Sequence, residues 1–233
     1  MSETARYFRL IYNRLRPSEC HLTSRSPRPA ETFVKLSDHV GLMASYNEWM
    51  NSKLYEVSGA LSAEALALDR HAFFGSLLGT LNHIVVADTI WLKRFALHPA
   101  NYRELDPIRH LSHPTSLDQI LFADFGELSR HRKMLDAVIS SWANGVTDAD
   151  LNQVLQYANT KGVVFARRFF SLVMHFFNHQ THHRGQATTM LSQAGIDVGI
   201  TDLLALIQNE AGHDPSVDGT VTAKSVSAAP AKR

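Results

Sequence analysis

The sequence is poor in cysteine: among 233 residues Cys20 is the only one. No internal disulfide can form, which fits a reducing compartment. No run of about 18 apolar residues occurs, so no membrane span is expected, and the expected location is the cytoplasm. Residues 1–30 hold six arginines and two glutamates but lack the apolar h-region of a secretory signal. Charge of one sign is not in excess. A formal net charge of +1 gives no surface for nucleic acid. P-loop and Rossmann glycine patterns are missing, so nucleotide binding has no motif behind it. There is no G-x-S-x-G elbow and no internal repeat of fixed period. What remains is a chain that is 45% apolar, ample for a sizeable core. Residues 1–37 are expected to form a basic, poorly ordered arm. Residues 212–233 are rich in Ser, Ala, Thr and Pro and are expected to be disordered. Residues 38–211 are left as the folded domain.

The pattern between the tails is helical. Leu42, Tyr46, Trp49, Met50, Leu54, Val57 and Leu61 recur at helical spacing, with Asp38 as the expected N-cap. A second helix is expected over about 71–97, apolar on most faces and therefore central. A connection with three prolines follows. The third helix is expected to open at SLDQ, a capping box from Ser116 to Gln119. Its core stripe would be Leu117, Leu121, Phe125, Leu128, Leu135, Val138 and Trp142. VLQYANTKGVVFA (Val154–Ala166) breaks the rhythm and reads as a hairpin turning at Asn159–Gly162. A fourth long helix is expected over about 167–193, stopped by Gly195, and a last short one over about 201–210. The fold class is all-α: an up-down-type four-helix bundle with a hairpin insertion. The second helix carries more apolar surface than one bundle core covers. A homodimer is therefore expected, with Trp91, Leu92 and Phe95 at the contact.

The stretch HFFNHQTHHRGQ, His175 to Gln186, holds four of the chain's 13 histidines. Helix propensity gives no reason to choose them. Residues four apart share a helix face, so His175, His179 and His183 form a stripe. Imidazoles at i and i+4 can close on one divalent ion, as in zinc helices. The position after His179 is Gln180, however, where a zinc peptidase needs a glutamate base. Glutamine cannot take a proton, which disfavours that chemistry. A third ligand must come from elsewhere. His83 is the best candidate, because Ser76, Gly79, Thr80 and Ala87 on its face are small and leave room for an ion. The competing reading is a hydrogen-bonded core histidine. A di-iron bundle would need two Glu-x-x-His motifs; Glu210 to His213 is the only match, and it lies beyond the last helix.

LNHIVVADTIWLKRF (Leu81–Phe95) and FFNHQTHHRGQ (Phe176–Gln186) resemble the two signature helices of the DinB/YfiT-like family of damage-inducible, metal-binding bundle proteins. SYNEWMNSKLYE (Ser45–Glu56) is similar to that family's first helix. The resemblance implies a four-helix bundle with a three-histidine site, carried here by His83, His179 and His183. His182 is expected to pack or hydrogen-bond beside the ligands, and His175 to line the pocket. Gln186 and Asn82 are expected to hydrogen-bond around the site, and Gly185 to permit close helix approach. Arg184 is a candidate for orienting an acidic group, but a structural pairing with a carboxylate on a neighbouring helix is the stronger reading.

Three imidazoles suit Zn, Ni or Fe and leave a position open. The resemblance implies a metal-dependent enzyme acting on small molecules. Transfer of a low-molecular-weight thiol as cosubstrate is favoured over hydrolysis. The alternative is a non-catalytic metal-binding stress-response protein. Neither a nucleic acid nor a membrane is expected as partner.

Overall fold

The computed structural model describes residues 35–209. The arm and tail expected at 1–37 and 212–233 lie outside the described residues, except that 35–37 are described and already belong to the fold. The described residues are mostly helical, with one small two-stranded sheet among them.

Helix α1 spans Leu36–Ser58, two residues ahead of Asp38. Asp38 is not the cap; it lies in the first turn, where a carboxylate suits the helix dipole. The cap comes from a distant residue. The backbone N–H groups of Leu36 and Ser37 donate to the Asp148 carboxylate at 3.3 and 2.8 Å. The short α2, Ala63–Ala67, follows.

Helix α3 covers Leu77–Phe95, shorter than expected at its start. His71 and Gly75 have positive φ (55° and 70°), which no helix accommodates. Ser76 then caps α3, accepting from the Gly79 N–H at 3.0 Å. From Leu77 to Thr89 every residue except Leu78 is buried, which confirms the central position of α3. Leu92 and Phe95 are also fully buried within this chain. Tyr102, Leu105 and Ile108, from the connection after α3, are buried in the same core. Leu92 and Phe95 therefore offer nothing to a second copy, contrary to the expected contact. That connection is not featureless. It forms a 3-10 turn over Arg103–Leu105 and the one-turn α4, Asp106–Arg109.

SLDQ does not open the third long helix. Gln119 instead turns back to accept from the Thr115 N–H at 2.7 Å, and Leu117 is 50% exposed rather than in the core. Helix α5, Phe125–Gly145, begins later, where the Asp124 carboxylate accepts from the Glu127 N–H. Leu128, Leu135, Val138 and Trp142 keep their expected core places. The one-turn α6, Asp148–Leu151, has a full capping box between Thr147 and Asp150.

The hairpin is present. Strand β1, Val154–Ala158, pairs antiparallel with β2, Val164–Arg168, in a register that sets Val154 opposite Arg168. Asn159 closes the turn, accepting from the N–H groups of Lys161 and Val163, and Gly162 supplies the left-handed residue (φ 77°). Arg167 and Arg168 are thereby drawn into the sheet, so α7 starts at Phe169 and runs to Gln193. Gly195 (φ 77°) follows as expected. The last expected helix is only a 3-10 turn, Leu203–Leu206.

Helix α1 packs on α5 and α7, and α3 packs on α7 and α5. Trp142, Phe95, Phe169 and Phe176 fill one region of the core. Another region is polar and joins all four long helices. Asn47 and Asn51 of α1 donate to Asp136 of α5 at 3.1 and 2.8 Å. Arg132 of α5 pairs with Asp136 (3.0 Å) and with Asp88 of α3. Gln180 of α7 donates to Asp88 at 2.8 Å, and Arg184 donates to Asn47 and Gln180. Burial opposes the charge on Arg132, but Asp136 and Asp88 together outweigh it and hold its pKa above the ordinary value.

Candidate metal centre

Because α3 is central, the side chain of His83 points inward, and its residue is only 4% exposed. His179 and His183 sit one turn apart on α7, which packs against α3. Their possible donor atoms and those of His83 all lie within 4.8 Å of one another. Nε2 of His83 is 3.3 Å from Nε2 of His179. His183 is packed against both, with ring centroids 4.4 Å from each. Among the described residues this trio is the one group of three or more His, Cys, Asp or Glu with ligand spacing.

The outer ring nitrogens set the tautomers. Nδ1 of His83 lies 2.7 Å from the Leu117 carbonyl, which can only accept. A neutral His83 therefore carries its proton on Nδ1 and turns a bare lone pair on Nε2 into the site. His183 is arranged alike: Nδ1 lies 2.8 Å from Oε1 of Gln186. The Gln186 amide nitrogen in turn faces Nε2 of His182 at 3.3 Å. Such hydrogen bonds fix ring orientation and raise ligand basicity. Burial pushes the pKa of all three imidazoles down, and His179 reaches about 3 because the neighbouring rings add to burial. All three are thus neutral at pH 7, as metal ligation requires.

The residues fit a divalent ion. Two nitrogens bound to one tetrahedral ion at ~2.0–2.1 Å lie roughly 3.3–3.4 Å apart, the spacing of the His83 and His179 nitrogens. The centre opens into a cavity of about 820 Å³ lined by His83, His183, His182, Phe73, Phe74 and Ile120, among others. Its mouth is apolar: Phe73 is 84% and Ile120 49% exposed. Asp118 is its one lining carboxylate, and it is not part of the ligand group.

The other expected site residues separate. His182 lines the cavity but is exposed, its ring 4.8 Å from His183. His175 is exposed and packs its ring 4.9 Å from Trp91; it lines no part of this cavity. Asn82 touches no ligand. It clamps the backbone of Phe122, accepting from its N–H at 2.9 Å and donating to its carbonyl at 3.0 Å. That clamp holds the loop that carries Leu117. Arg184 is buried in the polar layer, bonded to Asn47, Asn51, Gln180 and Thr181, so it cannot orient a substrate acid. The structural reading of Arg184 stands, with amides rather than a carboxylate as its direct partners. Gly185 does not serve close approach, since a Cβ there would meet nothing within 4 Å. Gln180 points to Asp88 and away from the histidines.

The small residues around His83 do not all make room for an ion. A Cβ on Gly79 would come 2.2 Å from the Phe74 carbonyl oxygen. Gly79 lets the Phe74 backbone approach, and the Phe74 ring then stacks on His83 at 3.8 Å between centroids. Phe74 and the Leu117 carbonyl were not legible in the sequence. The only hint was Phe73-Phe74-Gly75 just before the Ser76 cap.

A model of the DinB family matches residues 36–215. Protein DinB of Bacillus subtilis (strain 168) is 24% identical over 181 residues, covering 72% of this chain and 92% of that relative. No solved structure matches.

Proposed function

The chain belongs to the DinB family, and from that premise we propose that it is a divalent-metal-binding enzyme acting on small molecules, with thiol S-transfer ahead of hydrolysis. The observation that carries this reading is the cluster of three neutral imidazoles, two of which, His83 and His183, line an open cavity with an apolar mouth. His83, His179 and His183 would hold the ion, Zn, Ni or Fe by the chemistry of the donors. The bound ion would supply Lewis acidity, lowering the pKa of a thiol or water that enters the open position.

The chain's own residues position and exclude. Leu117 and Gln186 fix the tautomers of His83 and His183. Phe74 covers one face of His83, and Phe73 and Ile120 offer an apolar approach to a carbon electrophile. In the transfer, a C–S bond forms as the bond from carbon to its leaving group breaks. The thiol proton and the leaving anion pass to water. The scaffold we propose is an up-down-type four-helix bundle built from α1, α3, α5 and α7, supported by their pairwise packing. We place it in the cytoplasm; among the described residues no helix is long and apolar enough to cross a membrane.

The test offers the metal-loaded protein an alkyl electrophile with and without a small thiol, with His179→Ala as control. Thiol-dependent turnover lost in the variant supports transfer. Ester cleavage without thiol would favour hydrolysis, and no turnover in either arm would favour the non-catalytic stress-protein reading.

A further inference from the structure

A second cavity, of about 730 Å³, shares Leu117 with the histidine cavity as a lining residue. Its wall contains Lys93, Arg94 and Arg109, with Ser116, Thr160 and other polar groups, and no carboxylate. In a chain whose formal net charge is +1, that is a local concentration of positive charge. Arg109 is occupied: Asp106 pairs with it at 3.0 Å, and it donates to the Ala96 carbonyl at the end of α3. Lys93 and Arg94 are different. Lys93 spends one N–H on the Arg109 carbonyl at 3.1 Å. Arg94 lies over the rings of Trp91 (4.5 Å) and Tyr157 (5.1 Å). Among the described residues neither has a carboxylate partner. Both are half-buried, and desolvation pushes both pKa values down. These are cations held in a cavity without a counter-charge, the condition under which an incoming anion gains most.

The placement relative to the histidines is fixed by the helix. His83, Ile90 and Arg94 are seven and four residues apart and share one stripe of α3. At 1.5 Å per residue, Ile90 is roughly 10 Å and Arg94 roughly 16 Å along the axis from His83. An extended tripeptide spans about 10 Å, and the Arg94 side chain shortens the remaining gap.

We propose that the cavity at Lys93 and Arg94 is the subsite for the carboxylate end of a small thiol whose sulfur reaches the histidine centre. The thiol half of this inference rests on the function proposed above; the carboxylate half does not. The sequence offered Arg184 for such a role, but that side chain is sealed in the core.

The test uses the full chain, prepared without a histidine tag and metal-loaded, in calorimetric titrations. The probes are glutathione, S-methylglutathione (which keeps the carboxylates and lacks the free thiol) and the S-methyl diester, which lacks both. S-methylglutathione should bind the wild type and bind the Lys93→Met/Arg94→Met variant about 10- to 100-fold more weakly, the loss expected for charge-assisted bonds. Methionine keeps the packing stems, and unchanged metal content and melting temperature would show that the variant is folded. The diester should bind like the acid binds the variant. Equal affinity of wild type and variant, equal affinity of acid and diester, or no binding of S-methylglutathione to the wild type would each overturn the subsite. Displacement of S-methylglutathione by equimolar inorganic phosphate would overturn the assignment to a carboxylate. The thiol reading is scored separately: His179→Ala should weaken glutathione and leave S-methylglutathione unchanged. If it leaves both unchanged, the metal–thiol reading fails while the subsite stands.

Discussion

His83 is held from two sides, by the Leu117 carbonyl at Nδ1 and by the Phe74 ring on its face. Its replacement by Ala should remove most of the bound metal, as should His179→Ala and His183→Ala, with metal content as the readout. His182→Ala should cost less, because that exposed ring is not one of the three ligands and touches the centre through Gln186 and the edge of His183. Gly79→Ala is the sharper test. The added methyl must displace the Phe74 backbone, so metal affinity should fall about 10- to 100-fold with the three ligands intact. Full affinity in Gly79→Ala would show that the Phe74 stack does not matter. The same rings set the response to acid. An unperturbed histidine titrates near ~6.5, whereas His179 is pushed down to about 3. Protons should therefore displace metal with a midpoint clearly below pH ~6.5. The metal-free fold should lose stability as pH falls from about 6.5 toward about 3, since only the unfolded chain takes up the proton there. In chelator, that slope should be shallower in His179→Ala. Parallel slopes would contradict the shift.

The long helices are joined as elements by the buried layer of Asn47, Asn51, Asp88, Arg132, Asp136, Gln180 and Arg184. Arg132 is the cation that Asp88 and Asp136 share, so its removal leaves two buried carboxylates without a direct ion-pair partner. Arg132→Met should destabilise the fold by about 3–5 kcal/mol in a denaturant titration, whereas Asp88→Asn, which leaves Arg132 paired with Asp136, should cost less. A loss below about 1 kcal/mol for Arg132→Met would mean that water enters the layer. The start of α1 rests on another element too. Asp148→Ala leaves the Leu36 and Ser37 N–H groups without their acceptor and should cost about 1 kcal/mol, typical of a lost cap. Asp38→Ala should cost less, because Asp38 accepts none of those bonds.

Metal bound at this trio would be linked to folding of the domain formed by the described residues, because the candidate ligands come from two helices far apart in sequence. An ion bound only by the folded state at 100 times its Kd adds about 2.7 kcal/mol. The melting temperature should rise with metal concentration, fall back on chelation, and show no metal dependence in His83→Ala. An unchanged melting curve on chelating the wild type would place the ion elsewhere.

The sequence by itself determined the helical class, the hairpin and the shared face of His179 and His183, while the family resemblance supplied His83 as the third member. The first three follow from local rules: apolar period, Asn and Gly at the turn, and i to i+4 spacing on one helix. The centrality of α3 was legible for the same reason, since no amphipathic face could be drawn on it. Only the tertiary structure decided the rest. The start of α1 depends on Asp148, more than a hundred residues away. The opening of α5 depends on which of two capping signals wins, and Asp124 wins over Ser116. Leu92 and Phe95 read as surplus apolar surface until the following loop brought Tyr102, Leu105 and Ile108 into the same core. For Arg184 the choice between substrate anchor and structural partner was decided by its partners on α1. In each case the deciding contact joins residues distant in the chain, and no local pattern encodes such a contact.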